Sequence, residues 1–321
     1  MDNVYDLVSQ YGLYGLITGS DRGSNGSTFY VDGNSGTASN AVSPSTQGTS
    51  WDTPFSTLNY AISRCTSDAG DTIFVAAGHT ETIADTGTAS GTTTDELVVD
   101  KSRIMIIGMG VGTDRPTFTL NGATDAAMVV LAGADNVVVK NLIFVSGIAD
   151  LAAAITVSAT SDGFVCENCE FRDGGAANLE MVLAITLAAN ADDCIIRGCR
   201  FLTTDAGSST ASAINLVGAA ARLQILDNFF RGDWNTSVIT NSAAAATDIL
   251  IKDNVINNLD AATGICIDLH ASTTGAVIHN LLHGGLNGTS PLDTTAALAA
   301  ENYYTNAEAA SAAILTPATD S

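Results

Sequence analysis

Short runs of alternating apolar and polar residues recur along this chain from residue 136 onward. They read NVVVKNLIF, GFVCENCEF, DCIIRGCRF, RLQILDNFF, DILIKDNVI and the looser GAVIHNLLH. Aligned on Phe144, Phe171, Phe201, Phe230, Ile256 and Leu282, they repeat at intervals of 27, 30, 29, 26 and 26 residues. Five positions before the aligned residue stand Val139, Cys166, Ile196, Ile225, Ile251 and Val277; seven before stand Val137, Phe164, Cys194, Leu223, Ile249 and Gly275. Apolar columns two residues apart, with variable polar positions between them, mark strands with one buried face. A second apolar run separates the units: AAMVVLAG, AAAITVSA, LAITLAAN, SAINLVGA, SVITNSAA and GICIDLHA. Each repeat therefore holds two short strands and a third stretch around the aligned residue, which leaves no room for a repeated helix of about ten residues. One coil of three strands cannot bury its inward side chains alone. Coils stacked about 4.8 Å apart can, and their strands then line up in parallel sheets. The chain is expected to be all-β, a parallel β-helix of about seven or eight coils over residues 72–285.

One column changes character along the stack. Two residues before the aligned position it reads Leu142, Cys169, Cys199, Asn228, Asn254 and Asn280. Stacked asparagines hydrogen-bond from coil to coil and tolerate the left-handed backbone of a tight corner, so a ladder at a turn is expected. The same alignment reads the C-x2-C spacing of Cys166 and Cys169 as structural. Cys166 and Cys194 share columns with Val, Ile and Leu and should point inward as small hydrophobes. No metal site is expected. Cys169 and Cys199 share a column in consecutive coils, and whether they form a disulfide stays open.

The opening of the chain carries a different pattern. After STFYVDGNSG, the run WDTPFSTLNYAISRC places Phe55, Leu58, Ile62 and Cys65 on one helical face, with Pro54 as a helix start and Thr53 or Asp52 as its cap. Such a helix would cover the open end of the coil and protect its strand edges. The run YVDGNSG, the helix WDTPFSTLNYAI and the strand GDTIFVAAGHTETI together resemble the start of right-handed parallel β-helix proteins of the pectate-lyase-like superfamily, a resemblance covering about residues 28–285. It implies a right-handed coil with a short N-terminal capping helix. It implies no single activity, because lyases, hydrolases and bacteriophage structural proteins share that fold. The expected organisation is an N-terminal arm at 1–27, an opening strand and capping helix at 28–71, the coils at 72–285 and a C-terminal cap or tail at 286–321. The arm carries Tyr5, Leu7, Tyr11 and Tyr14, too apolar and aromatic for a passive linker; it either packs back on the coil or serves as an attachment segment that docks on a partner.

Composition narrows the function. Of 321 residues 46% are apolar but only 14% charged, and 34 acidic against 12 basic residues give a net charge of −22. That balance argues against nucleic acid and anionic membranes as partners. The first residues lack a basic, apolar signal segment and no apolar 18-residue run occurs, so synthesis in a host cytoplasm and display on a virion surface is expected. Acid–base cleavage of a glycan needs paired carboxylates. Asp173, Asp205, Asp233 and Asp260 lie just beyond the aligned residues, with Arg172, Arg200 and Arg231 nearby. Arg200 precedes its aligned Phe while Arg172 and Arg231 follow theirs, which does not require the three to share a face. The catalytic set considered is therefore Asp173, Asp205, Asp233 and Arg231, and none matches the calcium-carboxylate and basic set that the resemblance brings with lyases. Trp234, on a loop after Asp233, is expected to stack on a glycan. His270, His279 and His283 are read as polar turn residues. The leading expectation is a non-enzymatic virion surface protein, a head decoration or fibre bound to capsid or other virion proteins, without a cofactor. The resemblance to phage appendages implies a homo-oligomer, a trimer among them. The alternative is a polysaccharide lyase or glycoside hydrolase acting on a surface glycan, with calcium as its cofactor in the lyase case.

Overall fold

The computed structural model describes residues 26–41, 45–84, 97–121, 128–175, 179–203, 210–241, 244–260, 262, 264–285, 290–294, 297–306 and 316–317. The first strand, β1 (Thr28–Val31), and the helix α1 (Leu58–Arg64) precede a regular series that begins with β2 (Thr72–Val75), β3 (Thr80–Ile83) and β4 (Leu97–Val99). From β2 onward eight successive rungs each give one strand to each of three parallel sheets. A ninth rung adds Leu298–Ala300 to the first sheet and Tyr303–Asn306 to the second. β1 extends the first sheet by pairing in parallel with β2, and Thr316–Pro317 closes the second in antiparallel fashion. The chain is a parallel β-helix with one helix among the described residues.

The inward columns are those the alternation predicts. Val139, Cys166, Ile196, Ile225, Ile251 and Val277 stand in register along the first sheet. All are buried, and Ile73 and Ile106 continue the column toward the N-terminus. The aligned residues form the matching column of the second sheet, where Phe118, Phe144, Phe171, Phe201 and Phe230 stack with ring centroids 6.0, 5.2, 4.9 and 4.6 Å apart. Parallel in-register strands bring like residues to one rung spacing, so identical rings meet face to face along the axis.

The asparagine ladder is present and one rung longer than the alignment showed. Asn228 Nδ2 donates to Asn254 Oδ1 at 3.0 Å, Asn254 Nδ2 to Asn280 Oδ1 at 2.9 Å, and Asn280 Nδ2 to Asn302 Oδ1 at 2.9 Å. Each Oδ1 also accepts the backbone N–H of the preceding asparagine, at 3.0 Å in all three cases. The left-handed backbone, however, belongs to the residue before each ladder position: Asp227, Asp253, His279 and Glu301 have φ of 55°, 57°, 59° and 55°. The left-handed residue turns the chain at the surface. The asparagine that follows it points into the corner, where its amide serves the buried backbone. At its upper end the ladder meets the thiol column, and Asn228 Oδ1 accepts the N–H of Cys199 at 2.9 Å.

The cap differs from its sequence reading by one turn. α1 starts at Leu58 with Thr57 as N-cap, whose side chain accepts from Tyr60 N–H. Pro54 and Phe55 lie outside the helix because Phe55 is extended: its N–H donates to Tyr30 O at 2.8 Å and its carbonyl accepts from Asp32 N–H at 3.0 Å. Backbone pairing with β1 takes precedence over the helix-starting preference of proline. Leu58, Ala61 and Ile62 of α1 are buried against the coil, as is the following Cys65.

Candidate functional site

A strand places both neighbours of an inward side chain on the outside. Arg172 follows Phe171, Arg200 precedes Phe201 and Arg231 follows Phe230, so all three arginines project from the outer face of the second sheet. The register brings them onto three consecutive rungs, Glu170 opposite Arg200 opposite Phe229, and Arg172 opposite Leu202 opposite Arg231. Arg172 and Arg231 are thus two rungs, about 10 Å, apart along one column, with Arg200 between them in the next column. The alternation of the strands makes this a shared face. Arg200 lies 5.8 Å over the centroid of Phe229, and both Arg200 and Arg231 are exposed. Neither forms an ion pair with a described residue. Glu170 is held by Arg115 at 2.6 Å and Arg172 at 3.4 Å, and Arg115 in turn donates to the carbonyls of Gly112 and Asn168.

The expected carboxylates do not converge on this face. Asp173 is half-buried, and its Oδ1 accepts the N–H of Met181 at 3.3 Å, which closes the segment after its strand. Asp233 is half-buried and donates its N–H to Thr203 Oγ1 at 3.0 Å. Asp205 lies outside the described residues, as do Tyr5, Leu7, Tyr11 and Tyr14 of the arm. Trp234 is 1% exposed, its ring edge packed on Phe230 and its backbone tied to Asn258 in both directions. It is a core side chain, and the ring beside the arginines is Phe229. The cavity that Trp234 and Asp173 help to line measures about 10 Å³, the size of one water.

A carboxylate pair that the alignment had not singled out stands on the third sheet. Ile267–Asp268 pairs with Leu292–Asp293, which sets Asp268 and Asp293 opposite each other on adjacent rungs. Burial, and then the charge of Asp293, push the Asp268 carboxyl above its ordinary range. A carboxylate whose folded pKa is raised is destabilising above that pKa, and the penalty disappears as the pH falls through it. Asp268→Asn is therefore expected to raise the melting temperature at neutral pH by about 1–3 °C. The gain should vanish in melts run at about pH 3, where both forms are neutral. A variant that melts lower at neutral pH would contradict the repulsion.

The thiols are core groups. All six cysteines are free and buried. The close sulfur pair is Cys166 and Cys199 at 3.8 Å, an inward residue of one rung and a corner residue of the next. Burial pushes the thiols of Cys65, Cys194 and Cys266 up to about 12, which keeps them protonated and unreactive at neutral pH. Among the described residues no group of three or more His, Cys, Asp or Glu side chains is arranged to hold a metal ion. The three histidines near the C-terminus do not meet. His279 sits at a corner between Asp253 and Glu301, His270 Nδ1 accepts from Ser272 N–H, and His283 lies on the second sheet opposite Asn257. No described helix is long and apolar enough to cross a membrane.

No known family's sequence profile matches the chain, and no curated protein does. Among solved structures the chain is similar to a rhamnogalacturonan lyase, with a TM-score of 0.49 at 11% identity over 90% of this chain and 89% of that one. It is also similar to a GH136 lacto-N-biosidase from Eubacterium ramulus, with a TM-score of 0.48 at 12% identity over 95% of this chain and 68% of that one.

Proposed function

We propose that this chain is a non-enzymatic surface protein, a stiff β-helical body whose second sheet holds an anionic glycan. The observation that carries the reading is the grouping of Arg172, Arg200 and Arg231 on one face of a chain whose net charge is −22. An acidic body repels a polyanion everywhere except where cations are concentrated. Guanidinium groups grip carboxylate or sulfate through two parallel hydrogen bonds. Phe229 supplies an apolar surface between them. Binding is favoured over cleavage because the nearby carboxylates are engaged elsewhere, Glu170 by two arginines and Asp173 by a backbone N–H. The finer form of the reading is a virion component, a head decoration or fibre, with residues 1–27 as the segment that docks on other virion proteins.

Replacing Arg172, Arg200 and Arg231 together by alanine is expected to weaken binding of a polyuronate or sulfated glycan by about tenfold or more. Added salt should reproduce the loss in the unaltered protein. Equal binding by both proteins would overturn the assignment of this face. A second reading, glycoside hydrolysis, is favoured by one observation, the Asp268 and Asp293 pair. Adjacent rungs put the two carboxyl groups near the separation of about 5 Å that retaining enzymes use. Release of reducing ends from a glycan panel, abolished by Asp293→Asn without loss of fold, would replace binding by catalysis as the function.

A further inference from the structure

A cleft lies at the N-terminal end of the coil, between α1 and β3, three rungs before Arg172. It is an open depression of about 440 Å³. Among the described residues that line it the one charged side chain is Glu81, which points inward in register with Phe118 at the head of the aromatic column. Glu81 Oε2 is fully committed. It accepts Leu58 N–H at 3.0 Å and His79 Nε2 at 3.1 Å. His79 is itself fixed, since its Nδ1 accepts Gly33 N–H at 3.0 Å, which places the ring proton on Nε2. The arrangement holds the carboxylate rigidly and leaves Oε1 as an open acceptor.

Three further polar groups line the cleft without a hydrogen-bond partner among the described residues. Asn59 uses its Oδ1 to accept Val98 N–H at 3.3 Å, which leaves both Nδ2 hydrogens free. The hydroxyls of Tyr60 and Thr82 also make no hydrogen bond with a described residue. The Tyr60 ring is held edge-on by Phe55 at 5.1 Å. One anchored acceptor, an amide donor, two hydroxyls and a fixed aromatic ring, with no cationic side chain among the described residues that line the cleft, match a ligand rich in hydroxyls and bearing no negative charge. An anion would meet the Glu81 carboxylate with nothing to balance it.

We propose that this cleft binds a neutral pyranose unit, with Glu81 Oε1 accepting from its hydroxyls and Asn59, Tyr60 and Thr82 completing the contacts. The site is separate from the arginine face and does not depend on the function assigned there. The test uses the full chain and a panel of neutral methyl hexopyranosides, N-acetylated ones included, beside glucuronate and putrescine, with binding read by ligand-observed NMR titration. At least one neutral glycoside is expected to bind. Tyr60→Phe combined with Thr82→Val should weaken it by about tenfold. These two changes keep ring and shape, and Thr82 is exposed, so an unchanged circular dichroism spectrum and melting temperature are expected. Should the double variant melt lower, Thr82→Val alone carries the comparison. The triple arginine variant should bind the neutral glycoside as the unaltered chain does, which separates failure here from failure at the second sheet. No binding by any neutral glycoside, preference for glucuronate or putrescine, or affinity unaffected by the hydroxyl deletions would each overturn the proposal.

Discussion

Ile225→Asp is expected to prevent folding of the coil. Ile225 is fully buried, in the middle of the first sheet's inward column, in register with Ile196 above and Ile251 below. Removing the side chain alone would cost about 2–5 kcal/mol. Placing a carboxylate there adds the cost of burying a charge that has no partner among apolar neighbours. The sum reaches the whole stability of an ordinary domain, about 5–15 kcal/mol. Far-UV circular dichroism of the purified variant should lose its β signal, or the chain should accumulate as aggregate. Ile225→Val, costing about 0.5–1.5 kcal/mol, is the control that keeps the fold. A monodisperse Asp variant with the parent spectrum and melting temperature would mean that the column does not face a core.

The second large effect is expected at Asn254, the centre of the ladder. Its Oδ1 accepts both Asn228 N–H and Asn228 Nδ2, and its Nδ2 donates to Ile225 O at 2.9 Å and to Asn280 Oδ1 at 2.9 Å. Asn254→Ala strips buried groups on two rungs of their partners, at about 1–3 kcal/mol for each group left bare. A loss of several kcal/mol in denaturant melts is expected, far above the usual effect of a polar-to-alanine change. Asn254→Asp is the sharper test because it keeps the shape and the acceptor. It substitutes an oxygen for the donor, and that oxygen faces Ile225 O and Asn280 Oδ1. The variant carboxyl is pushed above its unfolded value, so the charge-dependent part of the destabilisation is absent below the unfolded pKa of about 3.9 and complete above the raised folded pKa, while the protonated form, with one O–H in place of two N–H donors, keeps a smaller constant loss. The gap between variant and parent should therefore widen from acid toward neutral pH. A gap that narrows in that direction would contradict the donor role of Nδ2.

The ladder and the arginine face also show how legibility varied. The column Asn228, Asn254 and Asn280 was visible as a repeat, and a hydrogen-bonded ladder followed from it. The left-handed residue was one place earlier, because a side chain cannot both sit at the surface of a corner and serve the backbone inside it. The shared face of Arg172, Arg200 and Arg231 was legible in the parity of the strands, since the two neighbours of an inward phenylalanine both look outward. Asp268 and Asp293 were harder to pair. The strand Leu292–Asp293 is two residues long, too short to show a period, and its rung was not visible in the alignment.

Parity is local, and for that reason the chain alone settles its coil. Alternation within a few residues assigns inside and outside, and a repeat of 26–30 residues without helical periodicity admits only stacked three-strand rungs. Contacts between side chains outside the strands are not local. They depend on where each corner sends the backbone and on which rung lies beyond it. Trp234 follows a polar residue on a connecting segment, yet Asn258 on the next rung clamps its backbone and Phe230 takes its ring, so it is buried. Pro54 has the preference to begin a helix, yet pairing of Phe55 with β1 moves the start to Leu58. Glu81 alternates like any strand residue, and only the packing of α1 and His79 against it turns its position into a cleft. Strand parity is a property of consecutive residues, whereas a site joins residues from separate rungs, and the tertiary packing decides which of them meet.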